Sequence, residues 1–191
     1  MALPTVHIRK EAFLVMVWAA IETFRKECLG FLLGYPPTAE KNFYNITDAV
    51  PFQKVRRRSN LEVTLSDRAD ARFKNFISGI DSVYPKYLGD FHSHSEWGNY
   101  TPMSDMSEED LKQFAKTSEP LEFIIGISAR KKGRAVWELL TDGSVKGSFS
   151  KFNLHFNVYT LVSEDAPVVP QRLRIVAPRS METLNRILVK K

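Results

Sequence analysis

Apolar positions along the chain follow two rhythms, and their order alternates short strands with amphipathic helices. Val6 to Arg9 reads as a first strand. Between Glu11 and Lys26, Phe13, Val17, Ala20, Ile21 and Phe24 recur near a 3.6-residue period with no glycine or proline among them, which predicts a helix. The run Glu27-Cys28-Leu29-Gly30-Phe31-Leu32-Leu33-Gly34 follows at once. Its apolar residues between glycines predict a buried strand, closed by Pro36-Pro37. Phe43 to Phe52 is the next predicted strand, and Leu61, Val63 and Leu65 alternate as another. Ser66 is placed to cap a helix from Asp67 to Val83 that turns Ala69, Phe73, Phe76, Ile77 and Ile80 to one face.

Beyond Pro85, Tyr87 to His94 predicts a strand. Ser107-Glu108-Glu109-Asp110 has the form of a helix start, a hydroxyl cap followed by acids that the helix dipole favours. That helix should reach about Thr117 with Leu111 and Phe114 inward. Phe123 to Ser128 and Ala135 to Leu140 are β-rich and flank the turn signal Lys131-Lys132-Gly133. The alternation predicts a mixed α/β (α+β) fold, a central mixed sheet flanked by helices. After Thr141-Asp142-Gly143 the pattern changes. Phe152, Leu154, Phe156 and Val158 alternate with Asn153, His155, Asn157 and Tyr159 as a strand, and prolines then cut the chain into short extended pieces around Leu173 to Val176. Met181, Leu184, Ile187 and Leu188 predict a short terminal helix. Residues 1–141 therefore read as the main domain, and 142–191 as a C-terminal extension packed on it.

Composition narrows this picture. A chain of 191 residues, 43% hydrophobic and 26% charged, is long enough to bury a full core and ordinary for a globular protein. No apolar stretch approaches the roughly 18 residues of a membrane span, and Met1 to Thr5 lacks the start of a signal peptide, so a cytoplasmic protein without membrane contact is expected. Cys28 is the only cysteine, which rules out an internal disulfide and a cysteine-based zinc site. The same count excludes a zinc nucleoside deaminase, whose Pro-Cys-x-x-Cys ligands need two. The net charge of +5 is concentrated in Lys54 to Arg58, Arg130 to Arg134 and Lys190-Lys191. Such runs bind nucleic acid or acidic protein faces in some proteins, but are more often solvated loops. The aromatics sit in apolar strand and helix positions, which disfavours nucleic acid.

The chemistry gathers between Gly89 and Leu111. His92 and His94 are two residues apart on a predicted strand, so both imidazoles face one side and can reach one metal ion. Asp110, in the first turn of the next helix, would complete a two-histidine, one-carboxylate zinc site with the fourth position open to water. Hydrolysis there needs a base for the water and a donor for the developing oxyanion; Glu27 and the Ser107 hydroxyl are the candidates. His7 and His155 have no evident partners and read as structural, as does Cys28, a small core residue.

Taken together, these pieces resemble the JAMM/MPN-plus (Mov34/JAB1) zinc metalloproteases, isopeptidases that remove ubiquitin and ubiquitin-like proteins. The family has a glutamate, two residues and then a glycine opening an apolar strand, matched by Glu27 to Gly34. It has a glycine three residues before His-Ser-His, matched by Gly89 and His92-Ser93-His94, and a Ser-x-x-Asp opening a helix, matched by Ser107 to Asp110. The resemblance covers roughly residues 5 to 141 in the same order of elements. It implies a cytidine-deaminase-like three-layer fold and Zn2+ bound by His92, His94 and Asp110. It further implies Glu27 as general base and Ser107 stabilising the tetrahedral intermediate. The implied partners are ubiquitin or a ubiquitin-like protein and its conjugates, with a proteasome-like or other activating complex.

Two features depart from the family. Twelve residues separate His94 from Ser107, more than the family uses, and Ser95 stands where proline is usual. Asp105, in Ser104-Asp105, lies nearer the usual spacing and is a rival third ligand. Asp110 is preferred because it keeps the Ser-x-x-Asp pattern and the following Leu111. The 95–106 loop, with Trp97 and Tyr100, is then expected to shape or occlude access to the metal. A metal-bearing but inactive scaffold that binds ubiquitin-like proteins or assembles a complex is the competing function.

Overall fold

The computed structural model describes residues 3–52, 57–58, 63–64, 67–79, 85–96, 104–131, 133–162 and 169–189. The chain begins with β1 (Thr5–Ile8) and α1 (Lys10–Glu22), followed by β2 (Leu29–Tyr35) and β3 (Phe43–Pro51). A two-stranded ribbon, β4 (Arg57–Arg58) with β5 (Val63–Thr64), leads to α2 (Asp67–Gly79) and then β6 (Lys86–Ser95). Next come α3 (Glu108–Phe114), β7 (Leu121–Ala129), β8 (Glu138–Leu139), β9 (Val145–Phe149) and β10 (Phe152–Val162). The chain closes with β11 (Val169–Arg172), β12 (Ile175–Val176) and α4 (Pro178–Val189). Lys54 to Arg56, Leu61, Leu65, Ser66, Ile80, Trp97, Tyr100 and Lys190-Lys191, on which several expectations rest, lie outside the described residues.

Among the described residues one mixed sheet runs β12-β1-β3-β2-β6-β7-β10-β9-β8, with β11 added alongside β10. The expectation of a mixed α/β fold with a central mixed sheet is met. Side-chain alternation assigns its two faces. Leu121, Phe123, Ile125 and Ile127 of β7 join Phe91 and Leu32 in a core with Phe13, Met16 and Val17 of α1 and Leu184 of α4. The intervening Ile124 packs with Phe114 of α3 and with Tyr159. On that second face Phe73 of α2 stacks on Phe31 at 4.3 Å between ring centroids. Helices thus cover both faces, and residues 145–176 supply strands to the same sheet.

Several boundaries differ from the sequence reading. The first helix stops at Glu22, not Lys26, because Arg25 takes a φ of 75° and Lys26 N–H donates to Thr23 O in a tight turn. A glycine is absent from that turn, so nothing in the pattern announces it. Phe76 was expected inward but is 63% exposed, while Ala69 and Ile77 are buried. It lies at the edge of an apolar stripe wider than the contact the sheet offers. The segment Ala135–Leu140 forms only the two-residue β8. By contrast β9 was not expected from the sequence: its middle residue is Gly147, over which the Trp137 ring lies.

One glycine shapes the strand that matters most. Gly89 has a φ of +140°, and a Cβ there would stand 1.8 Å from the Leu121 carbonyl oxygen of β7. Its backbone lies at an irregularity in the β2–β6 ladder, where Leu32 pairs with Gly89 but Leu33 with Tyr87. The extra residue switches the alternation, so Tyr87 and Asp90 share a face and the Tyr87 hydroxyl donates to Asp90 Oδ1 at 2.5 Å. From Asp90 onward, even-numbered residues face α3.

Candidate metal centre

Extended backbone from Asp90 to Ser95 turns both His92 and His94 toward α3. Asp110 reaches them from the first turn of α3, whose start is fixed by reciprocal capping. The Asp110 N–H donates to Ser107 Oγ at 3.1 Å, and the Ser107 N–H and hydroxyl donate to Asp110 Oδ2 at 2.8 and 2.6 Å. Phe114, four residues on, is buried against Ile124 and Tyr159 and holds the other end of this short helix to the sheet.

Three ligand atoms converge. His92 Nε2 lies 3.1 Å from His94 Nε2, His92 Nε2 lies 3.3 Å from Asp110 Oδ1, and His94 Nε2 lies 3.3 Å from Asp110 Oδ2. In a tetrahedral zinc site with bonds of about 2.0–2.1 Å, neighbouring ligand atoms stand about 3.3 Å apart. The three ligand atoms could hold one metal ion, and the donor set, two imidazoles and a carboxylate, suits zinc.

A residue that the sequence reading missed completes the arrangement. Glu122 Oε1 lies 2.8 Å from His92 Nδ1, so the outer nitrogen of the imidazole is engaged and Nε2 is left for the centre. Parallel pairing of β6 with β7 sets Glu122 opposite Asp90 and Ile124 opposite His92. The available signal was one acid inside the apolar run Leu121-Glu122-Phe123-Ile124-Ile125. The register that gives it meaning is not written locally.

Burial and charge set the protonation of these groups. Burial works against a charged His92, but hydrogen bonds to Asp110 and Glu122 outweigh it and raise the imidazole well above its ordinary value of 6.5. Burial likewise opposes charge on Asp110. Hydrogen bonds from His92, His94 and Ser107 prevail, holding this carboxyl far below the usual range. Asp90 behaves oppositely: desolvation, reinforced by the neighbouring Glu122 charge, pushes it up to about 8.

Glu27 stands just before β2 and is buried, at 7% exposure. Its neighbours are tied to the histidine strand: the Cys28 N–H donates to Ser93 Oγ at 2.9 Å, and the Ser95 hydroxyl donates to the Lys26 carbonyl at 3.0 Å. Leu29 pairs with His92, so the same ladder carried two residues further sets Glu27 level with His94. Gly30 makes this approach possible, since a Cβ there would stand 2.2 Å from the Phe91 ring. A cleft of about 710 Å³ opens near the start of β2, lined by residues such as Phe24, Lys26, Cys28, Leu29 and Phe52; neither Glu27 nor the triad lines it. Ser107 caps α3 and gives its hydroxyl proton to Asp110. Asp105, the rival ligand, faces elsewhere and bonds to Arg172. His155 is tied to Ser104 and Ser144, and Cys28 is buried.

No family model and no curated protein matches this chain. Its fold is similar to the solution structure of protein DSY2949 from Desulfitobacterium hafniense, a structural-genomics target. The TM-score is 0.55 at 15% identity, over 91% of this chain and 92% of that one. At this identity the likeness concerns the fold alone. Among the described residues no helix is long and apolar enough to cross a membrane. The chain has a mixed α/β fold with a possible metal-binding triad, His92, His94 and Asp110, gathered at the end of the central strand β6.

Proposed function

We propose that this protein is a zinc-dependent peptidase or isopeptidase of the JAMM/MPN-plus type. It would hydrolyse the bond at the carboxyl terminus of ubiquitin or a ubiquitin-like modifier, on a cytidine-deaminase-like three-layer scaffold, in the cytoplasm. The observation that carries the reading is the set of separations of 3.1, 3.3 and 3.3 Å among His92, His94 and Asp110, which matches the edges of a tetrahedral zinc site.

Zinc held there supplies Lewis acidity and a bound water whose pKa falls toward about 7. The chain's own residues do the rest. Glu122 keeps His92 in the tautomer that presents Nε2, and Ser107 holds Asp110 in its orientation. Glu27, buried and level with His94, accepts a proton from the attacking water and returns it to the leaving amine. Strand addition along the sheet would align the modifier's tail. An activating partner complex, proteasome-like or other, belongs to the same proposal.

Metal analysis of the purified protein, together with cleavage of a panel of ubiquitin-like fusions with and without chelator, tests this reading. About one zinc per chain and chelator-sensitive cleavage is the expected result; a chain that binds no zinc overturns it. A second reading, a zinc-bearing scaffold without turnover, is favoured by one observation. The Ser107 hydroxyl has a single proton and gives it to Asp110, leaving none for an oxyanion. Zinc without cleavage of any fusion would select it.

A further inference from the structure

The helix that carries Asp110 is only seven residues long, too short to hold itself in place by its own hydrogen bonds. Phe114 ties down its far end. Its near end is tied by residues that belong to the C-terminal part of the chain. Asn157, in the middle of β10 and wholly buried between Phe156 and Val158, donates its amide to the Ser104 carbonyl at 2.9 Å and to Ser104 Oγ at 3.0 Å. His155 on the same strand lies 2.8 Å from Ser104 Oγ. Arg172 of β11 forks between Asp105, at 2.5 Å, and Asp142, at 2.6 Å. Asp105 stands two residues before the cap Ser107.

Position in the sheet explains why this matters to the metal. Asn157 pairs with Ile124, which pairs with His92, so ligand and anchor stand in one row across three strands. Two strand spacings separate them, about 9.6 Å. A buried asparagine inside an apolar strand is a costly choice unless its amide is needed. Here its donors have one use, to hold the chain that enters α3. Arg172 with Asp105 is half open to water, and such pairs contribute little to stability.

We propose that Asn157 and Arg172 are positioning residues for the metal centre: they fix Ser104 and Asp105, and through them the place of Asp110. This rests on reading His92, His94 and Asp110 as a zinc site. It gives the segment after Thr141 a role in building that site.

The test measures zinc affinity by competition with a chromophoric chelator, and the visible spectrum of the cobalt-substituted protein. The variants are Arg172→Ala, Arg172→Lys and Asn157→Leu. Arg186→Ala serves as control, because it breaks the exposed ion pair to Glu182 within α4. The expected result is at least tenfold weaker zinc binding and an altered cobalt spectrum for Arg172→Ala and Asn157→Leu. Arg172→Lys should recover part of the loss, and Arg186→Ala should match the parent. The unfolding midpoint of metal-free Arg172→Ala should move by less than about 4 °C. If Asn157→Leu does not fold, Arg172→Ala alone decides. Unchanged affinity and spectrum in Arg172→Ala overturns the positioning role while leaving the metal site standing. A parent protein that binds neither zinc nor cobalt overturns both.

Discussion

His92 and Glu122 meet at 2.8 Å, Nδ1 to Oε1, although thirty residues separate them in sequence. The contact engages Nδ1 of His92 and leaves Nε2 facing His94 and Asp110. Removing it with Glu122→Ala frees the ring to rotate and to exchange tautomers, and should weaken zinc binding about 10- to 100-fold. Glu122→Gln keeps an acceptor for the Nδ1 proton and should lose less. Competition titrations of the two variants check this; equal affinity for parent and Glu122→Ala would show that the pair is ornamental.

The two carboxylates beside His92, Asp110 and Glu122, should make metal binding depend on pH. Its surroundings raise the His92 pKa well above 6.5, so a metal at Nε2 competes with a proton there. Zinc affinity should therefore rise with pH, about tenfold per unit for each proton displaced, until His92 titrates in the metal-free protein. The stability of the metal-free protein follows the opposite sign for this residue. His92's contribution is complete below pH 6.5 and is lost as pH rises through its higher folded pKa. Asp110's contribution is present above about 3.8 and is lost as pH falls through its lower folded pKa. Chelator competition and chemical denaturation between pH 6 and 8 measure the affinity and the His92 stability trend on one sample, over a range where about two decades of affinity are at stake.

Glu27 separates chemistry from binding. It ligates nothing in the triad, so Glu27→Gln should retain zinc at the parent level. As the proposed base its loss should lower the cleavage rate by about 10²- to 10⁴-fold. Zinc content by atomic absorption and turnover of a modifier fusion give the two readings. Turnover at the parent rate with zinc in place would remove Glu27 from the mechanism.

Much of this site was legible because its residues lie in short, periodic pieces of chain. His92 and His94 share a strand face by simple alternation, and Ser107 with Asp110 is a helix start that local chemistry dictates. The elements that were misjudged depend on partners elsewhere. Arg25 ends α1 early with no glycine to mark it. β9 hides its strand character behind Gly147, whose missing side chain is filled by Trp137. Glu122 and Asn157 look like unremarkable polar residues within strands until β6, β7 and β10 are laid side by side. Their roles come from pairing register, a property of the whole sheet that no window of sequence contains.

Phe31 and Phe76 show how far an apolar pattern can be trusted. Both belong to apolar positions that the sequence turns toward the core. Phe31 is wholly buried, stacked on Phe73 at 4.3 Å and edge-on to Phe52 at 4.7 Å and Tyr87 at 5.3 Å. Phe76 is 63% exposed at the rim of the stripe on α2. Phe31→Ala should cost about 3–5 kcal/mol, since it empties a site walled by three rings that cannot all collapse inward. Phe76→Ala should stay within about 0.5 kcal/mol of the parent. Urea denaturation monitored by tryptophan fluorescence measures both, and unchanged slopes would show that the shifts in midpoint report stability alone. A Phe76→Ala loss approaching that of Phe31→Ala would mean that α2 sits rotated from the orientation described, with Phe76 turned onto the sheet.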